Sequence, residues 1–456
     1  MRRVVKVSRI RIIITIIVVV LTTLLTGCTG KEPNEIAYVV ALGIDSTDDD
    51  NYKITIQYAN TTQISGGASE SGGKAGSEIV DNVTIEAPNI YAGVGLANNI
   101  VSKSFSMSHA KLIVFSKEIA EKGVKDMIET LVRSEEIRPD VFIAVANTTA
   151  NDYLTSVNPE MEVNPAQYYQ LIYQKNQLVG IPDGQLREFF TGLYTDNYDS
   201  ILPVAGVIEG SGGNSQNDDK GQSKDSQNEG SEGSSESLDS FESKSSNEKD
   251  ENEKEKDAEK NTSKYEYDIK NYVGGETAIE KKNKAEAIGA AVFEKDKMVG
   301  ELGEVETEIC KILKGDYTYS YLTYYNNDTP DIPITVKTTQ QKKPKYKIDT
   351  DKKTVDIELY IESDLYSLPA DYNVENKIED FERDVANYTS SACTEFINNF
   401  TKKYNSDILK LNEKIKYKFL TNNQYNWFKK NVGWSEYKFS VCTNFKVRRT
   451  GLIVRE

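Results

Sequence analysis

The chain has 456 residues, a formal charge of −16, one His and four Cys, with 38% apolar and 28% charged residues. That length predicts two to three domains, and the acidic balance disfavours a nucleic-acid role because a polyanion would repel it. One His and four scattered Cys leave little material for a zinc site, a Cys/His nucleophile pair or a Ser/His triad.

Arg2, Arg3, Lys6, Arg9 and Arg11 form a basic leader, and Ile12 to Leu25 follow as an apolar run. At 14 residues the run is shorter than the roughly 20 that span a bilayer as a helix, which predicts a signal peptide over 1–27. Leu25-Thr26-Gly27-Cys28 looks like a bacterial lipobox, with small residues before a Cys whose thiol takes the lipid. Two acyl chains at about 0.8 kcal/mol per buried CH₂ anchor stably where one would not. Removing the leader takes five basic residues and no acids, which moves the formal charge from −16 to −21. Anionic lipid would repel such a chain, so the covalent anchor at Cys28 must hold it at the membrane. Cys310, Cys393 and Cys442 remain; an odd number cannot pair fully, and small buried hydrophobes are the favoured reading.

The first folded block is 28–208. Glu35 to Asp45 and Tyr52 to Ala59 read as strands, the second alternating at Ile54, Ile56 and Tyr58. Asp48-Asp49-Asp50-Asn51 between them suits a solvated turn; the later Gly and Glu of a calcium loop are missing. Ser65 to Ser77 reads as a mobile Gly/Ser loop, and its Gly72-Gly73-Lys74 lacks both the upstream Gly and the Ser/Thr of a phosphate-binding loop. Ile90, Val94, Ala97 and Val101 recur at helical spacing, and Lys111 to Phe115 reads as a buried strand. Ala120, Val124, Met127, Ile128 and Leu131 predict one amphipathic helix, and Asp140 to Ala146 another buried strand, making a parallel crossover. Two or three helices from Asn151 to Leu193 and a strand near Ile201 to Ile208 complete an α/β block.

Residues 209–263 hold 16 acids, 7 Lys and a single aromatic, Phe241. Low hydrophobicity and high net charge predict a disordered acidic linker spanning about 40 Å. A second block, 264–342, has a strand over Ala287 to Glu294, a Lys295-Asp296-Lys297 turn and a helix over Glu301 to Leu313. Tyr317, Tyr319 and Tyr321 then alternate along a strand, and a half-buried strand face explains them at least as well as a ligand does. The third block, 343–456, opens with a strand over Thr354 to Ile361. A long helix through Val374, Ile378, Phe381, Val385, Ala392, Phe396 and Phe400 follows, then a strand-rich tail over Lys438 to Val454. The sequence shows no internal repeat and no second transmembrane span. The fold class is mixed α/β (α+β): three mixed α/β domains in series after the leader, interrupted by the acidic linker.

The mature chain resembles the Ger(x)C family of spore germination lipoproteins. The resemblance opens with Glu35 to Asp45 (EIAYVVALGID), ending in a Gly-Ile-Asp turn, and a following strand with Gln57. It is strongest over 108–146, on His109, Lys111, Glu118, Ala120, Gly123, Arg133, Glu136, Ile137 and Arg138. It continues through Ala290 to Phe293, Lys295 to Lys297 and Val299 to Leu302, and ends on Asp407, Trp427, Trp434 and Arg449-Thr450-Gly451. Thr29-Gly30-Lys31-Glu32 after the Cys, and the long acidic linker, depart from the family pattern.

The resemblance implies three α/β domains in series. It implies a non-enzymatic subunit of a nutrient germinant receptor, held by its lipid on the outer face of the spore inner membrane. It further implies integral-membrane receptor subunits as partners and neither cofactor nor catalytic residue. His109, Lys111, Arg133 and Arg138 are the candidate partner interface, against a structural reading in which the arginines pair with Glu135, Glu136 or Asp140 at a helix end. The competing function is a solute-binding lipoprotein that delivers a small ligand to a transporter, a class built from two large lobes around a polar cleft. A surface hydrolase is disfavoured by the lone His and the lack of a Gly-x-Ser-x-Gly elbow.

Overall fold

Long apolar runs alternating with amphipathic helices call for a sheet buried on both faces, and the chain forms one. A computed structural model describes residues 13–18, 35–49, 51–59, 80–159, 162, 164–174, 180–195, 197–208, 271–277, 283–326, 329–367, 374–404 and 406–450. Cys28, the Ser65 to Ser77 loop and the acidic stretch 209–263 lie outside the described residues. Among the described residues, no helix is long and apolar enough to cross a membrane.

The first sheet holds β1 (Ile36–Ser46), β2 (Tyr52–Ala59), β3 (Val80–Ala87), β4 (Ser104–Ser106), β5 (Leu112–Ser116), β6 (Phe142–Ala146), β7 (Ile201–Val207), β8 (Ala285–Glu294) and β9 (Lys297–Leu302). Its order is β3-β2-β1-β5-β6-β7-β8-β9, with β4 beside the start of β1. The central strands β1, β5, β6 and β7 run parallel, and both flanks are antiparallel. The period-2 alternation of a strand divides each central run between two cores. Ile113, Phe115, Ile143 and Val145 face α1 (Ile90–Ala97), α2 (Lys117–Lys122), α3 (Lys125–Val132) and α6 (Leu186–Thr195), whereas Leu112, Val114, Phe142 and Ala144 face α4 (Ala150–Ser156) and α5 (Pro165–Gln174).

The second sheet holds β10 (Tyr319–Asn326), β11 (Thr329–Thr339), β12 (Lys345–Asp349), β13 (Thr354–Ser367) and β14 (Lys438–Arg449). It packs with α7 (Glu304–Lys314), α8 (Val374–Tyr404), α9 (Leu411–Ile415) and α10 (Asn422–Asn431) around one core that includes Phe381, Val385, Phe396, Phe400 and Phe439. Cys310 and Cys393 are buried in this core as free thiols, and burial pushes them up to about 11 and about 12. Cys442 is exposed and also free.

Among the described strands β14 pairs with β13 alone, and its outer edge is covered by α8. Phe439, Val441, Thr443 and Val447 donate their backbone N–H to Asn398 Oδ1, Thr394 Oγ1, Ser390 Oγ and Glu382 Oε1 at 3.1, 3.0, 2.9 and 2.8 Å. Asn398 Nδ2 also donates to Phe439 O at 2.9 Å. The match is one of pitch: four helical residues rise about 6.0 Å and two strand residues about 6.6 Å, so each fourth side chain of α8 meets each second amide of β14. Ala386 occupies the one step of this row that has no polar side chain.

Several expectations are corrected. The block 264–342 has no sheet of its own among the described residues, since β8 and β9 complete the first sheet and β10 and β11 open the second. The single helix through Ala120 and Leu131 is two helices. Gly123 ends α2 at φ 123°, and Val124 N donates to Asp296 O at 3.0 Å, so the β8–β9 turn takes the place of a continuing helix. The helix expected from Glu301 starts at Glu304, because 297–302 pair as β9; Glu306 Oε2 accepts from Gly303 N at 3.0 Å and closes its first turn. Tyr317 lies outside β10 and is buried, whereas Tyr321 in β10 is exposed, so the three tyrosines share no face. Strand β3 was not anticipated: its inner positions alternate between half-buried and exposed, which leaves little hydrophobic pattern to read.

Candidate functional site

Because β1, β5, β6 and β7 are parallel, their starting ends form one edge of the sheet, and all four candidate interface residues fall there. His109 and Lys111 precede β5, and Arg133 and Arg138 lie between α3 and β6. The geometry divides them among three places. His109 lies edge-on to Tyr38 with ring centroids 4.8 Å apart, and its Nδ1 is 3.0 Å from Ser108 Oγ. With Lys111 it lines a recess of about 380 Å³ closed by Asn164, Gln167 and Gln170 of the α5 region. Arg133 pairs with Glu129 one turn back at 2.9 Å and stands in the wall of a second cavity of about 630 Å³, floored by Phe105 and Met107. Glu136, across that cavity, accepts from Met107 N at 2.6 Å. Arg138 grips Asp140 with Nε and Nη2, both at 2.9 Å, and this fork holds the Asp140 carboxyl below its ordinary range. The Arg138–Asp140 pairing expected from the sequence is present, and Arg133 takes Glu129 rather than Glu135 or Glu136.

Other residues that mark the resemblance turn out to be brackets of the fold. Asp45 lies at the far end of β1, where its two oxygens accept from Ala150 N at 2.6 Å and Asn151 N at 3.0 Å. A carboxylate there complements the exposed amides of a helix start. Burial pushes the Asp45 carboxyl up, and the two amides oppose that shift. A Cβ at Gly43 would come within 3.0 Å of Leu154 Cδ1 and 3.1 Å of Ala150 Cβ, so the Gly-Ile-Asp turn keeps α4 close to the sheet. Gln57, fully buried, donates to Leu154 O at 2.9 Å and accepts from Tyr169 OH at 2.5 Å, tying α4 and α5 to β2.

Asp407 repeats the device. Its oxygens accept from Leu411 N at 2.7 Å and Asn412 N at 2.8 Å at the start of α9, and its own N–H donates to Asp199 Oδ2 at 2.9 Å. Trp434 Nε1 donates to Asn412 Oδ1 at 3.2 Å, which fixes the same turn. Lys410 adds an ion pair to Glu188 at 3.0 Å and lies over the Tyr198 ring at 4.3 Å. Asp199 and Asp407 are 208 residues apart, so no local pattern could have joined them. Among the described residues, no group of three or more His, Cys, Asp or Glu is placed to hold a metal ion.

Comparison with known proteins gives the same answer from both halves. A family model described as the spore germination protein N-terminal domain matches residues 30–207, and one described as spore germination B3/GerAC like, C-terminal, matches 288–451. Spore germination protein KC of Bacillus subtilis (strain 168) is 26% identical over 174 residues, which are 35% of this chain and 42% of that protein. The putative spore germination protein YfkR of the same organism is 28% identical over 145 residues, 32% of this chain and 37% of that protein. The matched stretches thus span about two fifths of these relatives. The crystal structure of the GerBC protein aligns over 89% of this chain and 96% of that one, with 15% identity and a TM-score of 0.47. With the N-terminal and C-terminal models matched in order along one chain, this protein belongs to the Ger(x)C family of spore germination proteins.

Proposed function

We propose that the chain is the lipid-anchored subunit of a spore nutrient germinant receptor, tied through Cys28 to the outer face of the spore inner membrane. It serves the assembly or signalling of the receptor and catalyses no reaction. Its partners are the integral-membrane subunits of that receptor. The observation that carries this reading is the family match over both halves, beginning at residue 30, directly after Leu25-Thr26-Gly27-Cys28. A basic leader, a short apolar run and a lipobox ahead of a family domain are the ingredients of a bilayer-tethered subunit.

Cys28→Ala is expected to make the protein extractable from spore membranes by high salt, which does not release the parent, and to reduce the germination response to nutrient to the level of a strain lacking the chain. Fractionation and loss of optical density of spores measure the two effects. Retention in the membrane at high salt together with an unchanged response would defeat the anchor.

The polar end bearing His109, Lys111, Arg133 and Arg138 is the partner-facing side in this reading. Arg138 is exposed and forms an exposed ion pair, a kind worth about 0–1 kcal/mol. Arg138→Glu should therefore shift the thermal midpoint by no more than a few degrees while the receptor subunits cease to co-purify. Intact co-purification would remove this end from the interface.

A further inference from the structure

Three of the most exposed large apolar side chains among the described residues fall within eleven positions: Tyr417 at 81%, Leu420 at 93% and Trp427 at 64%. They do not project for want of a core beneath them. Tyr425 and Phe428 bury the inner side of α10, and the Phe419 ring packs against both at a tilt, with centroids 5.7 and 5.1 Å away, so the segment is held while these three side chains point outward. The surrounding charge inverts that of the chain. Residues 410–430 carry six Lys and one Glu, a local balance of +5 in a protein of −16, and Lys416, Lys418 and Lys430 are exposed. At a Debye length of about 8 Å in physiological salt, a surface in contact with this patch feels these lysines more than the acids outside that range. The Lys352 amide and then Lys418 hold down the Asp349 carboxyl, which lies beside Lys418, so Lys416 and Lys430 carry most of the attraction.

The topology says where the patch hangs. Tyr425 OH lies 3.0 Å from Asn197 Oδ1, Lys429 Nζ is 3.1 Å from Thr195 O, and Asp407 N donates to Asp199, all just ahead of β7. The start of β7 shares its end of the sheet with the start of β1, which begins at Ile36. Seven residues separate Ile36 from Cys28, and the eight extended steps between them reach at most about 29 Å. Ile100, 70% exposed, lies in the turn that leads into β4 beside Ile36 and adds an apolar side chain at the same end.

We propose that Tyr417, Leu420 and Trp427, ringed by Lys416, Lys418 and Lys430, form a seat for an anionic bilayer surface, which orients the chain on the membrane. The proposal rests on the reading of Cys28 as a lipid anchor. Trp and Tyr rings favour the headgroup zone, with an apolar body and a polar edge, and lysines near a surface are drawn to anionic headgroups.

The test uses a chain from Thr29 onward, which keeps every strand from β1 to β14 and carries no acyl group. The protein has two Trp, and Trp434 is buried, so a change in indole environment on vesicles reports Trp427. With phosphatidylglycerol vesicles in physiological salt, blue-shifted emission and several-fold weaker acrylamide quenching are expected. Neither should occur with phosphatidylcholine alone. Leu420→Ser combined with Trp427→Ser, and separately Lys416→Glu with Lys430→Glu, should cut co-flotation at least tenfold with an unchanged thermal midpoint.

An indole that stays fully quenched on anionic vesicles, or variants that float as well as the parent, would overturn the seat. So would protection of Trp427 that arises only when a receptor subunit is added, since the patch would then belong to a protein contact. The anchor is judged separately, by the mass of Cys28 in protein from spores. Vesicle binding with an unmodified Cys28 sinks the anchor alone, and an acylated Cys28 with no vesicle binding sinks the seat alone.

Discussion

Gly206→Ala is expected to lower the urea midpoint more than any other single methyl addition to the first sheet. A Cβ at this point of β7 would lie 2.0 Å from Gly274 C, 2.1 Å from Gly275 N and 2.4 Å from Gly274 O. All three are backbone atoms of the strap 271–277, and the strap has little room to yield. Gly274 N donates to Ile288 O at 2.9 Å, Asn147 Nδ2 donates to Gly274 O, and the buried Glu286 carboxylate accepts from Gly275 N and Thr277 Oγ1. Overpacking of a tight site costs about 1–3 kcal/mol when side chains can shift, and a backbone clash with a hydrogen-bonded strap belongs at or above the top of that range. Gly95→Ala supplies the contrast, because a Cβ on that α1 glycine meets nothing within 4 Å. It should gain the roughly 1 kcal/mol by which Ala exceeds Gly in a helix. Equal midpoints for Gly206→Ala and the parent would show that the strap moves freely.

The second large effect is a dependence on pH centred on Asp407. Burial raises its carboxyl to about 7, against the pull of the Leu411 and Asn412 amides. In an unfolded chain the same group titrates near 3.9. The folded state therefore holds the proton more tightly, and the associated stability is complete below about pH 4 and is lost as pH rises through 7. One such group changes the unfolding free energy by up to about 1.4 kcal/mol per pH unit. Glu308, raised by burial to about 7, acts in the same direction. Asp407→Asn should remove one group's share of the slope and leave that of Glu308. The variant should be less stable than the parent at pH 5, because Asn offers one acceptor where two amides need partners, at a cost of about 1–3 kcal/mol. The gap should narrow or reverse by pH 8. Urea titrations at pH 5, 6, 7 and 8 measure this, and parallel curves for variant and parent would show that Asp407 does not titrate in this range.

Both effects belong to contacts that sequence reading could not supply, whereas the strands around them were legible. Tyr52 to Ala59 emerged with the expected bounds, and the apolar runs at Leu112 and Phe142 became central parallel strands, because burial on both faces leaves an unbroken hydrophobic signature. Elements decided by neighbours far along the chain were misjudged. The α2–α3 break depends on the β8–β9 turn, and the later start of α7 depends on a hairpin partner. The four candidate interface residues fall at one end of the sheet, and the sequence did not show how they divide there. His109 and Lys111 share one recess, Arg133 walls another, and Arg138 is committed to Asp140. Trp427, noted only as part of a C-terminal pattern, stands out once its exposure is known beside that of buried Trp434.

The row of polar side chains along α8 bears on what the second sheet can join. An open strand edge is a template onto which another chain can add, and at β14 four of the outward amides are already spoken for. A companion subunit approaching that flank would find a helix and must engage it through side chains, whereas β10, whose only partner among the described strands is β11, keeps an edge that could accept a visitor. Helix α8 thus occupies an edge that would otherwise stand open: without it, a twelve-residue strand would present its outward amides to any chain able to pair with them.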